Sequence, residues 1–167
     1  MSLYFVVNGP GPTTAAQAPV TTGTAIKTML QVRAVKSLFI KEWGISFDGI
    51  AAATPIRCEL LSTGTVFATV VAHTDADITI VRSKGMAAAA AAAGLTLSTT
   101  GTGYSASAEG TVTATDMFDV QFVSPTNQYV KQFPLGTEPE IAIGDSLRIR
   151  VTAAAAVNAY AYMLIEI

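Results

Sequence analysis

The chain has 167 residues, of which half are apolar and 13% are charged, and its formal net charge is -2. This composition excludes disorder of the highly charged kind, and the near-balanced charge argues against a surface that wraps a phosphate backbone. Cys58 is the only cysteine, so neither an intrachain disulfide nor a cysteine-based zinc site can form. We expect a folded chain with a sizeable core and no nucleic-acid partner.

The N-terminal residues combine a short apolar run with a long uncharged segment. The run "LYFVV", residues 3–7, favours a strand, and it is too short for the apolar core of a signal peptide. Residues 8–23, "NGPGPTTAAQAPVTTG", hold three prolines and three glycines and cannot pack as a strand. We therefore expect an N-terminal strand and extended arm over residues 1–23, followed by a sandwich domain over residues 24–167.

Three later stretches alternate apolar and polar residues with the period of two that is typical of a half-buried strand. Asp119 and Gln121 are predicted to face outward in the second stretch, and Arg148 and Arg150 in the third. The residues predicted to face inward are Trp43, Ile45 and Phe47 in "EWGISFD", Phe118, Val120 and Phe122 in "MFDVQFV", and Leu147, Ile149 and Val151 in "DSLRIRVT".

The final segment, "NAYAYMLIEI", is apolar on both faces as far as Glu166. This pattern predicts a central strand that is covered on both sides by a second sheet or a neighbouring subunit. Further runs rich in β-branched and aromatic residues bring the expected total to about eight or nine strands, joined by short glycine turns. The predicted fold is all-β, an antiparallel β-sandwich or jelly roll.

The alanine-rich stretch "SKGMAAAAAAAGLTLS" interrupts the strand pattern. Its apolar run is about half the length of a membrane-spanning helix, and Gly85 and Gly94 bound it. Alanine has the highest helix propensity of all residues, which favours a short helix that crosses between strands. A thin, extended alanine-rich loop is the alternative.

Residues that could carry catalysis are scarce. His73 is the only histidine, and a metal site with Asp75 and Asp77 would need a further ligand that the sequence does not visibly supply. A polar connection between strands is the favoured interpretation. Because neither a Gly-x-Ser-x-Gly motif nor a phosphate-binding loop is present, we predict no catalytic residue, no cofactor and no metal, and thus a protein that is not an enzyme.

Two pairs of side chains are candidates for contact with a partner. Arg148 and Arg150 are predicted to project from one face of a strand, where they could dock an acidic partner or form an ordinary solvent-facing row. Tyr160 and Tyr162 could stack on sugars, but tyrosines in strands are more often core or interface anchors.

Residues 118–167 resemble the last strands of small jelly-roll proteins encoded in the head genes of tailed bacteriophages. The motifs that carry the resemblance are "FPLG" at residues 133–136, "GDSLRIRVT", and the closing "VNAYAYMLIEI". Upstream, "CELLSTGTVFATV" and "GYSASAEGTVTATDMFD" fit the same pattern, so the similarity extends from about Ile26 onward. The resemblance implies a capsid decoration (cement) or minor capsid protein.

Such a protein is expected to form a homo-oligomer, commonly a trimer, and to bind the major capsid protein on the outside of the shell. It would be made in the host cytoplasm, become part of the virion, and need neither a membrane nor covalent chemistry. An alternative is a carbohydrate- or receptor-binding jelly-roll module of a phage tail or a lectin. The candidate residues for oligomer or capsid contact are Pro10, Pro12, Arg148, Arg150, Tyr160 and Tyr162.

Overall fold

Strands make up nearly all the regular structure of the computed structural model, which describes residues 1–11, 14–83 and 85–167. The short helix α1 is Ala90–Ala93, and a 3₁₀ turn covers Asp75–Asp77. Within the described residues the strands are β1 (Leu3–Val7), β2 (Val20–Thr21), β3 (Lys27–Arg33), β4 (Leu38–Phe47), β5 (Ile56–Ser62), β6 (Thr69–Ala72), β7 (Thr79–Arg82), β8 (Gly103–Ala108), β9 (Asp116–Val123), β10 (Gln128–Gln132), β11 (Glu140–Ile141), β12 (Ser146–Thr152) and β13 (Asn158–Glu166).

The strands form two antiparallel sheets that share one hydrophobic core. The seven-stranded sheet has the order β10-β4-β13-β1-β7, with β11 beside β4 and β2 beside β13; the six-stranded sheet has the order β6-β8-β3-β12-β5-β9. The predicted all-β sandwich is confirmed. The strands that the sequence pattern missed are β2 and β11, which have two residues each, and β10, whose sequence "QYVKQ" is largely polar.

The alternating side chains of β4 and β12 enter the core as predicted. Trp43 and Ile45 on β4, and Leu147, Ile149 and Val151 on β12, are almost completely buried. Burying an aliphatic side chain of this size stabilises a fold by roughly 1.5–3 kcal/mol. These two strands therefore supply much of the contact that holds the sheets together.

The prediction for the inward face of β9 is wrong beyond its third residue. In the pairing of β9 with β5 the register shifts by one at Phe118, which is the mark of a β-bulge. Phe118 is half-buried against the core, whereas Val120 and Phe122 are 39% and 73% exposed. Asp119, which was expected to face solvent, is buried instead, because an extra residue reverses the side-chain alternation of everything that follows it.

The last strand, β13, is central as predicted, since it pairs with β4 on one side and with β1 on the other. Ala159, Ala161 and Met163 on its inner face are buried in the sandwich core. On its outer face Tyr160 is 40% exposed and Tyr162 is half-buried. Among the described residues, the inner face of β13 is fully covered and the outer face is partly exposed.

The N-terminal segment packs on its own chain. Strand β1 is an inner strand that lies between β13 and β7. The buried Asn8 follows it; its Nδ2 donates to Ala159 O at 3.0 Å, and its Oδ1 accepts from Ala161 N at 2.8 Å. Both polar atoms of the Asn8 side-chain amide thus bind the backbone of β13 at the point where the arm leaves the sheet. Pro10 is exposed, and Pro12 lies outside the described residues.

Within the described residues 83 and 85–98 of the alanine-rich stretch, the helix covers Ala90–Ala93, which confirms the short helix for the second half of the run. The stretch connects β7 in the seven-stranded sheet to β8 in the six-stranded sheet, so it is the predicted crossover. Gly94 ends the helix with a φ of 119°, and its N–H donates to the carbonyls of Ala90 and Ala91. A glycine adopts such a left-handed conformation at little cost.

No helix among residues 1–11, 14–83 and 85–167 has the length and apolar character that a membrane span requires.

Candidate interaction surface

The outer face of the seven-stranded sheet carries several partly exposed aromatic and aliphatic side chains. They alternate with the buried residues of β1 and β13 and with the half-buried residues of β10, and they meet across neighbouring strands. We call this surface the tyrosine face and define it by Phe5, Val130, Tyr160, Tyr162 and Leu164. Clustered aromatic side chains of this kind are typical of protein interfaces.

The Tyr162 ring owes its position to a glycine on the adjacent strand. Gly44 on β4 lies directly opposite Tyr162 in the strand pairing, and a Cβ atom added at Gly44 would overlap the tyrosine ring. The ring therefore covers the glycine backbone, an arrangement that compensates for the missing side chain of a glycine in a strand. On the other side, the centroid of the Phe5 ring lies 5.3 Å from that of Tyr162.

The hydroxyl groups of Tyr160 and Tyr162 each donate a hydrogen bond within the chain. The Tyr162 hydroxyl donates to Glu42 Oε1, and Gln132 Nε2 donates to the other oxygen of the same carboxylate. Burial and this hydrogen bond raise the pKa of Tyr162, so its phenol stays protonated at neutral pH. The Tyr160 hydroxyl donates to the carbonyl of Gln17 in the N-terminal arm. Because both rings are held in place, a partner that packs on them would immobilise few additional rotamers.

Replacing Gly44 with alanine is expected to displace the Tyr162 ring and to break its hydrogen bond to Glu42. Overpacking of this kind costs about 1–3 kcal/mol, which urea denaturation can measure. Ser46→Ala is the matched control, because Ser46 lies two residues further along β4 and is half-buried on the same face. A Gly44→Ala protein as stable as the Ser46→Ala protein would contradict the assigned role of Gly44.

Arg148 does not belong to an exposed strip, and that interpretation is wrong. Its strand, β12, lies between β3 and β5, and its guanidinium is completely buried beneath two chain segments. The Nη1 atom donates to Glu109 O at 3.0 Å and lies 3.4 Å from Glu109 Oε2, while Nη2 donates to Val66 O. Burial lowers the pKa of Arg148, and the Glu109 carboxylate opposes that change.

Arg150 is also largely buried, and it is paired. Its Nε donates to Glu59 Oε2 at 2.8 Å, and Arg57 Nη2 lies 2.7 Å from the other oxygen of the same carboxylate. Glu59 is itself buried, so its charge is compensated by arginines on both sides. A free cationic strip made of Arg148 and Arg150 is therefore not present on this face.

His73 lies in a polar connection, as the favoured interpretation predicted. The side chain is buried, its Nε2 donates to Val7 O at 2.8 Å, and its Nδ1 lies 3.9 Å from Asp77 Oδ2. Burial lowers the pKa of His73, so the ring is neutral near pH 7. Across the described ranges, no group of three or more histidine, cysteine, aspartate or glutamate side chains is placed to hold a metal ion.

The Asp119 carboxylate links the edges of the two sheets. The sequence pattern predicted that it would be exposed, but it is buried. Asp119 on β9 accepts hydrogen bonds from Trp43 Nε1 at 3.2 Å and from the Tyr129 hydroxyl at 2.9 Å. Gln121 Nε2 donates to its other oxygen at 3.1 Å, and Lys131 Nζ lies 3.5 Å from that oxygen. Nothing in the period-two pattern marks this residue, because its burial depends on the bulge at Phe118.

Three comparisons of the chain, with protein families, with curated proteins and with solved structures, found no match.

Proposed function

We propose that this chain is a structural protein of a tailed-bacteriophage particle, which self-associates and binds the outside of the capsid as a decoration or cement protein. The tyrosine face is the observation that carries the proposal. The resemblance of residues 118–167 to phage head proteins and the all-β sandwich support it. Its partners would be further copies of the chain, in a trimer as the resemblance implies, and the major capsid protein.

The composition of the tyrosine face fits binding to a partner through burial of aromatic and aliphatic surface rather than through ion pairs. The Glu42 carboxylate is held by the Tyr162 hydroxyl and the Gln132 amide. The charges around Glu166, two residues beyond Leu164, compensate one another, since Lys41 Nζ lies 2.9 Å from Glu138 Oε1 and 2.7 Å from Glu166 Oε2. Interface cores are depleted in free charge and rich in tyrosine, and energy concentrates in a few such residues. A protein that binds only the assembled lattice then stabilises that lattice by mass action, with many modest sites acting together.

Replacing Tyr160 with alanine is expected to weaken capsid binding by at least tenfold, because truncating a tyrosine at an interface hot spot costs about 2 kcal/mol. The measurement is co-sedimentation of purified protein with heads from which the protein has been removed. Ile50→Ala is the control, since Ile50 is exposed in the loop between β4 and β5 and is not part of the tyrosine face. Equal binding by both variants would contradict attachment through this face.

A carbohydrate- or receptor-binding module is the second candidate, and one observation favours it. Tyr160 and Tyr162 line a shallow groove with Ser46 and Gln128, and the Glu42 carboxylate lies beside it. Aromatic rings next to a carboxylate are what a sugar-binding groove needs. A glycan array tests this function, and Glu42→Gln should abolish any signal; an array without binding removes the candidate.

A further inference from the structure

The free edge of β9 is longer than the strands at the other ends of the two sheets. Strands β10, β7, β6 and β9 occupy those ends; β9 has eight residues, and each of the others has four or five. Lys131 lies on β10 and Arg82 on β7, and such basic residues discourage pairing with another strand. Strand β6 has no basic residue, but with four residues it is half as long as β9. Beyond the bulge, residues 119–123 of β9 contain neither a basic residue nor a proline.

The exposed side of this edge is apolar. Phe122 is 73% exposed and Val120 is 39% exposed, and both project from the outer face of the six-stranded sheet. Among the described residues β9 pairs only with β5, so alternate backbone N–H and C=O groups along its other side have no strand partner. The chemical complement of such an edge is another extended strand with apolar side chains.

We propose that the occupant of this edge is β9 of a second copy of the chain, paired antiparallel across a two-fold axis at Gln121. In this register Val120 lies opposite the partner's Phe122, and Phe122 lies opposite the partner's Val120. All four apolar side chains are then on the same face of one continuous twelve-stranded sheet. Aromatic and β-branched residues make favourable pairs when they lie directly opposite each other.

The distribution of charge supports a second copy as the occupant. In the same register Asp119 lies opposite the partner's Val123, so the two carboxylates do not face each other. Asp119 is already satisfied by Trp43 and Tyr129 within its own chain. The bulge at Phe118 falls outside the paired segment 119–123 and leaves that segment regular. A two-fold contact of this kind is self-complementary and closed.

This contact is distinct from the tyrosine face and goes beyond the proposed function. It predicts that the protein in solution has twice the mass of the assembly that forms without it, whatever that assembly is. Phe122→Lys is expected to halve the mass measured by light scattering after gel filtration, because it places a charge opposite an apolar side chain at both ends of the pair. Val71→Lys is the matched control, since Val71 is 51% exposed on β6 at the other end of the same sheet.

The outcomes separate the possible occupants. A halved mass for Phe122→Lys together with an unchanged mass for Val71→Lys supports the pairing of two copies. A wild-type mass of one chain, 17.3 kDa, at high protein concentration overturns it. An unchanged mass combined with weaker capsid binding by Phe122→Lys also overturns it and assigns the edge to the capsid protein. None of these three results depends on Tyr160→Ala, so failure of the β9 pairing is distinguishable from failure of the proposed function.

A cysteine cross-link tests the register. Gln121→Cys places two thiols directly opposite each other, where paired strands bring Cα atoms to about 4.5–5.5 Å, within the range of a disulfide. Cys58 lies directly opposite Gln121 in the pairing of β5 with β9 and could capture the new thiol within one chain, so both cysteine variants are made in a Cys58→Ala background. Mild oxidation should yield a disulfide-linked dimer from Gln121→Cys and none from Val71→Cys. A non-reducing gel with no dimer for Gln121→Cys would overturn the proposed pairing.

Discussion

Replacing Arg148 with methionine is expected to lower the free energy of unfolding by about 3 kcal/mol, because it removes one partner of a buried charged cluster. The guanidinium holds two chain segments over the six-stranded sheet through Val66 O, Glu109 O and the Glu109 carboxylate. Without it, the Glu109 carbonyl loses its donor and the carboxylate loses its nearest cation. Urea denaturation monitored by circular dichroism measures the loss.

Arg57→Met is the matched control for this experiment. Arg57 lies on the neighbouring strand β5 and also pairs with a carboxylate, but its side chain is 46% exposed. Ion pairs in such positions contribute about 0–1 kcal/mol. If Arg148→Met unfolds at the same urea concentration as Arg57→Met, the buried guanidinium does not hold the two segments in place.

Replacing Asp119 with alanine is expected to destabilise the sandwich by about 2–4 kcal/mol. Trp43 Nε1 and the Tyr129 hydroxyl both donate to this carboxylate, and each orphaned buried donor costs about 1–3 kcal/mol. Because Asp119 joins β9 in one sheet to β4 and β10 in the other, its loss should also loosen that edge of the sandwich. Asp116→Ala is the control, since Asp116 is exposed on the same strand before the bulge.

The same variant has a spectroscopic readout. Burial and the hydrogen bond to Asp119 raise the pKa of Tyr129 to about 12. The folded protein therefore retains a proton that the unfolded chain releases near pH 10, so this contribution to stability is full below pH 10 and is lost as the pH rises towards 12. In Asp119→Ala the phenol should titrate at lower pH in ultraviolet absorbance, and the alkaline loss of stability should be smaller. An unchanged Tyr129 titration would contradict the link between the two side chains.

The alternation of apolar and polar residues predicted the inward faces of β4 and β12 but not that of β9. In β4 and β12 every inward residue was assigned correctly, because the irregularities in their pairing fall at Lys41, before the predicted stretch of β4, and at Met29 on the neighbouring β3, so the alternation within both predicted stretches is unbroken. In β9 the assignment failed at Phe118. A bulge is set by the pairing with β5, which lies more than 50 residues earlier in the chain, and no window of the sequence contains both strands.

The candidate surface was only partly predictable for the same reason. Tyr160 and Tyr162 could be placed on one face of the last strand from their spacing alone. Gly44 and Glu42, which position Tyr162, lie on β4, about 120 residues earlier, and only the strand register brings them together. The burial of Arg148 was unpredictable because it results from the segments around Val66 and Glu109 folding over a polar position of the sheet.

The proposal that this chain adheres to a capsid through the tyrosine face has one most direct test. Virus particles purified from the source of the chain should be analysed by mass spectrometry and imaged by electron cryomicroscopy. The expected result is that the chain is present, and that density for the sandwich lies on the capsid exterior with Tyr160 and Tyr162 turned towards the shell or a neighbouring copy. Particles that lack the chain, or density in which this face points to solvent, would contradict the proposal.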